Sequence, residues 1–229
     1  MDDKDQSASI AWRDGVVPVS DRFDDPYFSL AGGLAETRHV FLSGNDHPAR
    51  LRGVFHIAEL GFGTGLNLLA TALALGATAQ AGKVIYTSFE AWPMTADDMA
   101  RALKAFPECA PLAADLVRQW RVGPVIELPG ISARVIIGDV RETLPLWPGR
   151  ADAWYLDGFS PAKNPQMWEP ALMEQVAAHT SPGGTFATYT AAGHVRRALL
   201  AAGFQVQRQP GFGKKRHMTA GRMPVDRTG

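Results

Sequence analysis

The chain has 229 residues, 46% hydrophobic and 20% charged, with one cysteine and no net charge. That balance fits one large domain, or one domain with a small appendage, and argues against wholesale disorder, while a lone cysteine, Cys109, excludes an internal disulfide framework and a multi-cysteine zinc centre. The first residues are acidic and polar, and the most apolar helix-like stretch, residues 66–79, is short of the ~20 needed to span a bilayer, so a cytoplasmic protein without membrane contact is expected.

Residues 1–53 are polar and turn-rich, with short strands expected at 16–19 and 37–42, and read as a flank or lid to a domain over 54–229. From residue 54 a pattern sets in. "VFHIAEL" (54–60) is a strand-forming run, "GFGTG" (61–65) a glycine-rich turn, and "LNLLATALAL" (66–75) a buried helix. "KVIYTSFE" (83–90) is a strand. The helix at 95–106 opens on a threonine cap with acids in its first turn, which suit the positive end of the helix dipole. Residues 107–132 are less regular and read as a helix and a hairpin. Strands follow at 133–139 and 152–157, a helix with an early proline at 169–180, a strand at 184–190, a helix at 192–202 and a strand at 204–209, with a last one within 215–223. Strands alternating with helices predict an α/β fold with a mostly parallel sheet and helices on both faces, in which ligands sit at the carboxyl ends of the strands.

Those strand ends carry acids. After Glu59 come Gly61, Gly63 and Gly65, which permit a tight turn and a close approach of backbone to a ligand. Dinucleotide folds want G-x-G-x-x-G, and here Leu66 stands where the third glycine belongs. G-x-G-x-G is the S-adenosylmethionine pattern, although a tight strand-to-helix turn needs the same glycines. Glu90 ends the second strand, as an acceptor for ribose hydroxyls or as a solvated acid. Asp139, after Gly138, is placed to bond an adenine amino group or to cap a helix. Asp157 ends the fourth strand. Three acids at successive strand ends after a glycine loop favour an adenosyl ligand, and the glycine spacing favours S-adenosylmethionine over NAD.

Asp157 suits an amine acceptor. An amine of pKa near ~10 must lose a proton before it attacks, and a carboxylate of pKa near ~4 serves better to orient the nitrogen and relay the proton than to abstract it outright. Phe159 and Trp168 are placed to bracket a planar acceptor, though a tryptophan also serves as core. From residue 191 onward eight Lys and Arg meet one acid, Asp226, so this end carries +7 and the rest −7. That is either a polyanion-binding face or a solvated basic end.

"DDPYFSLAGGLAETRHVFLSGN", "AELGFGTGLN", "WYLDGFSPAKNPQMW" and "GFGKKRHMTAG" resemble, in this order, the methyltransferase domain of the tRNA 5-methylaminomethyl-2-thiouridine biosynthesis (MnmC) family. The resemblance implies a Rossmann-like S-adenosylmethionine-dependent methyltransferase fold that methylates the aminomethyl nitrogen of 5-aminomethyl-(2-thio)uridine at the tRNA wobble position. It implies cofactor residues Glu59, Gly61, Gly63, Thr64, Gly65, Asn67, Glu90, Gly138 and Asp139, with Tyr27, Glu36 and Arg38 as a flank, and Asp157 at the acceptor. Ser160, within "LDGFSPAKNP", is grouped with Phe159 and Trp168 as an expected substrate contact. It makes Lys214, Lys215 and Arg216 phosphate contacts to the anticodon arm, with Arg196 and Arg197 nearby. Bifunctional members carry an FAD-dependent oxidase domain that makes the aminomethyl substrate. No second dinucleotide loop occurs here, so FAD is not expected, nor a metal, and functional coupling to a supplier of aminomethyl uridine is. Three competing readings remain: an N-methyltransferase or aminopropyltransferase-like enzyme on a small amine, a catalytically dead RNA-binding scaffold, and an NAD oxidoreductase, which Leu66 disfavours.

Overall fold

The computed structural model describes residues 7–29, 32–78 and 82–225. Asp226 and Arg227 of the basic end, and Ala79 of the apolar stretch, lie outside them. The chain begins with a small antiparallel sheet, β1 (Ile10–Arg13), β2 (Val17–Ser20) and β3 (Asp25–Pro26), followed by a short helix α1 (Gly33–Thr37). Then come β4 (Val54–Leu60), α2 (Leu66–Gly76), β5 (Lys83–Glu90), α3 (Ala96–Leu103), α4 (Ala110–Trp120), β6 (Val125–Leu128) and β7 (Ile131–Ile137). The rest is α5 (Val140–Thr143), β8 (Ala151–Leu156), α6 (Pro170–Ala178), β9 (Thr180–Thr188), α7 (Gly193–Ala201), β10 (Gln205–Pro210) and β11 (His217–Arg222).

The large sheet runs β10-β11-β9-β8-β4-β5-β7-β6. β4 pairs in parallel with β5 on one side and β8 on the other, and β5/β7 and β8/β9 are also parallel. The hairpin arm β6 and the strand β11 run against their neighbours. The chain therefore leaves β4 in both directions, which makes β4/β8 the switch point where a crevice opens at the carboxyl ends.

Period-two alternation splits the strands between two cores. Phe55 and Ile57 of β4 and Ala153 and Tyr155 of β8 face a cluster with Leu68, Leu69 and Leu75 of α2. Ala58, Leu60, Trp154 and Leu156 face the other, with Leu172 and Val176 of α6 and Val195 and Leu199 of α7. Burial on both faces explains why these strands read as near-continuous apolar runs. The expected helix cap is present: Thr95 Oγ1 accepts from the Asp98 N–H at 3.1 Å. The helix-plus-hairpin reading of 107–132 also matches, as α4 and the β6/β7 hairpin.

One expected element is overturned. Residues 37–42 are helical: α1 runs into a wider helical turn, Arg38–Leu42, and burial of Leu34, Thr37, Val40 and Phe41 follows the helical period. The β-branched and aromatic content of "TRHVFL" suggested a strand, and packing of that face into the first core decided otherwise. Val17, Phe28 and Leu34 join the same core, so the N-terminal residues are packed into the domain.

Asn45 fastens this segment to the sheet. It is fully buried. Its Nδ2 donates to Phe41 O at 2.9 Å and Trp154 O at 3.3 Å, and its Oδ1 accepts from Thr185 Oγ1 at 2.6 Å. Asn45→Ala strands buried partners on three elements and should cost about 1–3 kcal/mol. A lower urea midpoint with unchanged slope is the expected result.

Candidate active site

A cavity of about 650 Å³ opens at the carboxyl ends of β4, β5, β7 and β8, roofed by residues of the N-terminal segment. It falls within the ~300–1,000 Å³ typical of small-molecule sites. Its floor is continuous backbone: Gly61 N–H donates to Phe89 O at 2.9 Å and Asp157 N–H to Leu60 O at 3.0 Å. Gly61 has φ +89°, and a Cβ there would lie 2.6 Å from the Asp157 carbonyl oxygen. Only glycine lets the loop turn against the end of β8.

Asn67, in the first turn of α2, joins the two central acids. Its Nδ2 donates to Glu59 Oε1 at 2.8 Å and to Asp157 Oδ2 at 2.7 Å. An amide nitrogen has two hydrogens, so this pair of bonds uses both. Burial pushes Asp157 up to about 7, against the Asn67 bond, with Glu36 raising it further and Lys215 lowering it. The expectation of an ordinary acid near ~4 is thereby corrected. Burial also pushes Glu59 up to about 8. Glu59 is 1% exposed, and its Oε2 has no hydrogen-bond partner among the described residues, nor has Ser88 Oγ opposite it in the ladder. A neutral carboxyl is much cheaper there than an ion.

Several expected residues converge on the cavity: Gly61, Gly63, Thr64 and Asn67 from the loop, Glu90 and Asp139 from the next strand ends, and Asp157, Phe159 and Ser160 after β8. Glu90 accepts the Gly63 N–H at 3.0 Å and the Trp92 N–H at 2.8 Å, while burial raises its pKa. Asp139 caps α5 through the Arg141 N–H at 2.9 Å and pairs with the Arg141 side chain, which lowers its pKa. The helix cap is present, and the same residue stands on the cavity wall. Tyr27 and Glu36 also line the cavity, and Tyr27 meets Phe159 edge-on at 5.0 Å. Ser160 is held from the lid, its N–H donating to Asp25 Oδ2 at 2.8 Å.

Other expected residues stand elsewhere. Glu59 does not line the cavity: it stands one residue before the end of β4, and its buried side chain meets Asn67 of α2. Gly65 is off the cavity lining; it caps α2 with φ +75°, and a Cβ there would lie 2.8 Å from Leu116. Gly138 is likewise off the cavity, its N–H on Glu90 O at 2.9 Å. Trp168 is core: it is 2% exposed, donates to Phe159 O at 2.8 Å, and shapes the wall from behind. Lys214, Arg216 and Arg38 are exposed residues outside the lining, as is Arg197 on α7, where Arg196 is half-buried and also outside it, and only Lys215 of the basic loop reaches the mouth.

The sequence reading missed Tyr189, Arg22 and Trp92. Tyr189 lines the cavity just past β9, and the same inspection of strand ends that found Asp157 would have reached it. The Arg22 guanidinium lies 4.3 Å from the Trp92 ring at the rim, a contact between distant segments with no local signal. Among the described residues, no group of three or more His, Cys, Asp or Glu is arranged to hold a metal, and no helix is long and apolar enough to cross a membrane.

Residues 107–224 match the family described as S-adenosyl-L-methionine-dependent methyltransferase. The tRNA 5-methylaminomethyl-2-thiouridine biosynthesis bifunctional protein MnmC of Chromobacterium violaceum is 46% identical over 226 residues, covering 93% of this chain and 34% of its own length. The protein of the same name from Caulobacter sp. (strain K31) is 48% identical over 228 residues, covering 93% and 38%. The chain thus spans roughly a third of the length of these relatives. The crystal structure of MnmC2 from Aquifex aeolicus superposes with a TM-score of 0.77 at 26% identity, covering 98% of this chain and 72% of that one.

The raised pKa values of Glu59 and Asp157 set a pH dependence of stability. A carboxyl that is more basic folded than unfolded stabilises fully below its unfolded pKa, and that stabilisation is lost as pH rises through the folded value. Stability should therefore fall from about pH 4.5 to about 8, by at most about 1.4 kcal/mol per pH unit for each group. Glu59→Gln, neutral throughout, should flatten that slope, as read from melting temperatures across the range.

Proposed function

The chain belongs to the S-adenosyl-L-methionine-dependent methyltransferase family, and from that premise we propose that it methylates the aminomethyl nitrogen of 5-aminomethyl-(2-thio)uridine at the tRNA wobble position. The observation that carries this reading is Asp157, a carboxyl with a pKa near neutrality at the switch point of the sheet, facing an aromatic-walled mouth. The names of the relatives, which concern tRNA 5-methylaminomethyl-2-thiouridine, supply the substrate. The enzyme is then cytoplasmic, meets the anticodon arm, and depends on an activity that supplies aminomethyl uridine.

The residues present fit the cofactor. Gly61 and Gly63 bring loop backbone to the cavity wall, Glu90 offers a carboxylate at the tip of β5, and Thr64 and Asn67 line the same wall. Bound S-adenosylmethionine supplies an electrophilic methyl group on a sulfonium. Asp157 supplies the proton acceptor. Moving a proton from an alkylammonium of pKa ~10 to a carboxylate near 7 is uphill by about 3 units, ~4 kcal/mol, whereas an ordinary aspartate makes it about 6 units, ~8 kcal/mol. Burial therefore makes outright proton removal feasible. Asn67 fixes the carboxylate through Oδ2 and leaves Oδ1 for the acceptor N–H. Phe159 and Tyr27 offer apolar surface on which a base stacks. A small free amine is the competing acceptor, favoured by the zero net charge of the chain.

The deciding experiment is transfer of labelled methyl from S-adenosylmethionine to tRNA bearing 5-aminomethyl uridine, followed by nucleoside mass analysis. New 5-methylaminomethyl uridine is the expected product, and label confined to small amines would favour the competing acceptor. Asp157→Asn should lower kcat by ~10²–10⁴ while calorimetry finds cofactor affinity nearly unchanged. Because the carboxylate is the active form, the wild-type rate should rise with pH and level off above about 7, and the residual rate of Asp157→Asn should lack that limb.

A further inference from the structure

The loop between β10 and β11 brings Lys215 to the cavity mouth. Its Nζ lies 2.7 Å from Glu36 Oε1 and 4.3 Å from the centroid of the Tyr189 ring. A carboxylate beside an aromatic face is the arrangement that holds an ammonium ion. Glu36, Tyr189 and Lys215 line the same cavity as Asp157.

The two halves of this contact differ in stiffness. Tyr189 is fixed, its Oη donating to Gly158 O at 2.8 Å and its ring lying edge-on to Trp168. Gly158 directly follows Asp157, so the ring is keyed to the acceptor residue. Glu36 stands on α1, its N–H bonded to Gly32 O, with its side chain 14% exposed. Lys215 reaches in from an exposed loop on a flexible four-carbon stem and is 48% exposed. An ion pair so open to solvent is weakly held.

We propose that Glu36 and Tyr189 form an ammonium-binding subsite beside Asp157, which the chain's own Lys215 occupies and which the ammonium group of the acceptor takes over. This rests on the reading of the acceptor as an amine and adds the groups that select it. Exchange of one ammonium for another conserves the charge facing Asp157, on which Lys215 and Glu36 both act. A neutral hydroxyl acceptor can hydrogen-bond the carboxylate but has neither the charge attraction to it nor the cation–π contact with the ring, so the subsite discriminates for a cationic amine. The displaced Lys215 stays on the rim with Lys214 and Arg216.

The test is binding of ethylammonium chloride, followed by saturation-transfer NMR at constant ionic strength, with ethanol as the neutral control. Lys215→Met vacates the subsite and should bind ethylammonium roughly fivefold more tightly than wild type. Adding Glu36→Gln should abolish that gain, and ethanol should not bind. Tyr189→Leu in the Lys215→Met background serves the same purpose if circular dichroism shows the Glu36 variant unfolded. Equal affinity in wild type and Lys215→Met, retention of the gain without Glu36 or Tyr189, or equal binding of ethanol overturns the proposal. Methyl transfer to aminomethyl tRNA is scored separately on the wild type. Transfer without the probe pattern overturns the subsite and leaves the reaction standing, whereas the probe pattern without transfer upholds the subsite and directs the reaction to another amine.

Discussion

A single side-chain amide holds the centre of this molecule together. Asn67 donates one hydrogen to Glu59 and one to Asp157, joining the ends of β4 and β8 to the first turn of α2. The sheet divides at that place, so three elements that must open a crevice are tied at its base. Glu59 is buried, and burial keeps it a neutral acid up to about pH 8. That neutrality lets a second carboxyl sit close by without the repulsion that two buried anions would suffer.

The same burial that makes Glu59 a structural group makes Asp157 a chemical one. Both acids are lifted by loss of solvent, but Asp157 stands at the cavity wall, where a ligand reaches it. The N-terminal segment packs on the residues that follow Asp157. Tyr27 and Phe23 pack on Phe159, Asp25 holds the Ser160 N–H, and Asp24 pairs with Lys163. The N-terminal residues are therefore part of the active-site wall, which agrees with their share of the first hydrophobic core.

Much of the site was legible because the order of a parallel α/β sheet places successive strand ends along one edge. Glu90, Asp139 and Asp157 could be read as neighbours without any tertiary information. What failed was finer than a strand. Glu59 lies one position before the end of β4 and Asp157 one position after the end of β8, and the first is buried behind Asn67 while the second lines the cavity. Trp168 carries an aromatic surface suited to a base, yet its indole is spent on the Phe159 carbonyl and the second core. Residues 37–42 have strand-forming side chains, and their helical burial was set by the core they meet.

The sequence by itself determined the alternation of strands and helices, the glycine turn after β4, the cap at Thr95 and the row of acids, because periodicity, backbone freedom and capping act over a few residues. The tertiary structure alone decided the protonation of Glu59 and Asp157 and the seating of Lys215 between Glu36 and Tyr189. Lys215 and Glu36 stand 179 positions apart. Desolvation and charge pairing are properties of what surrounds a group in space, and no local pattern encodes which distant segment will arrive to exclude the water.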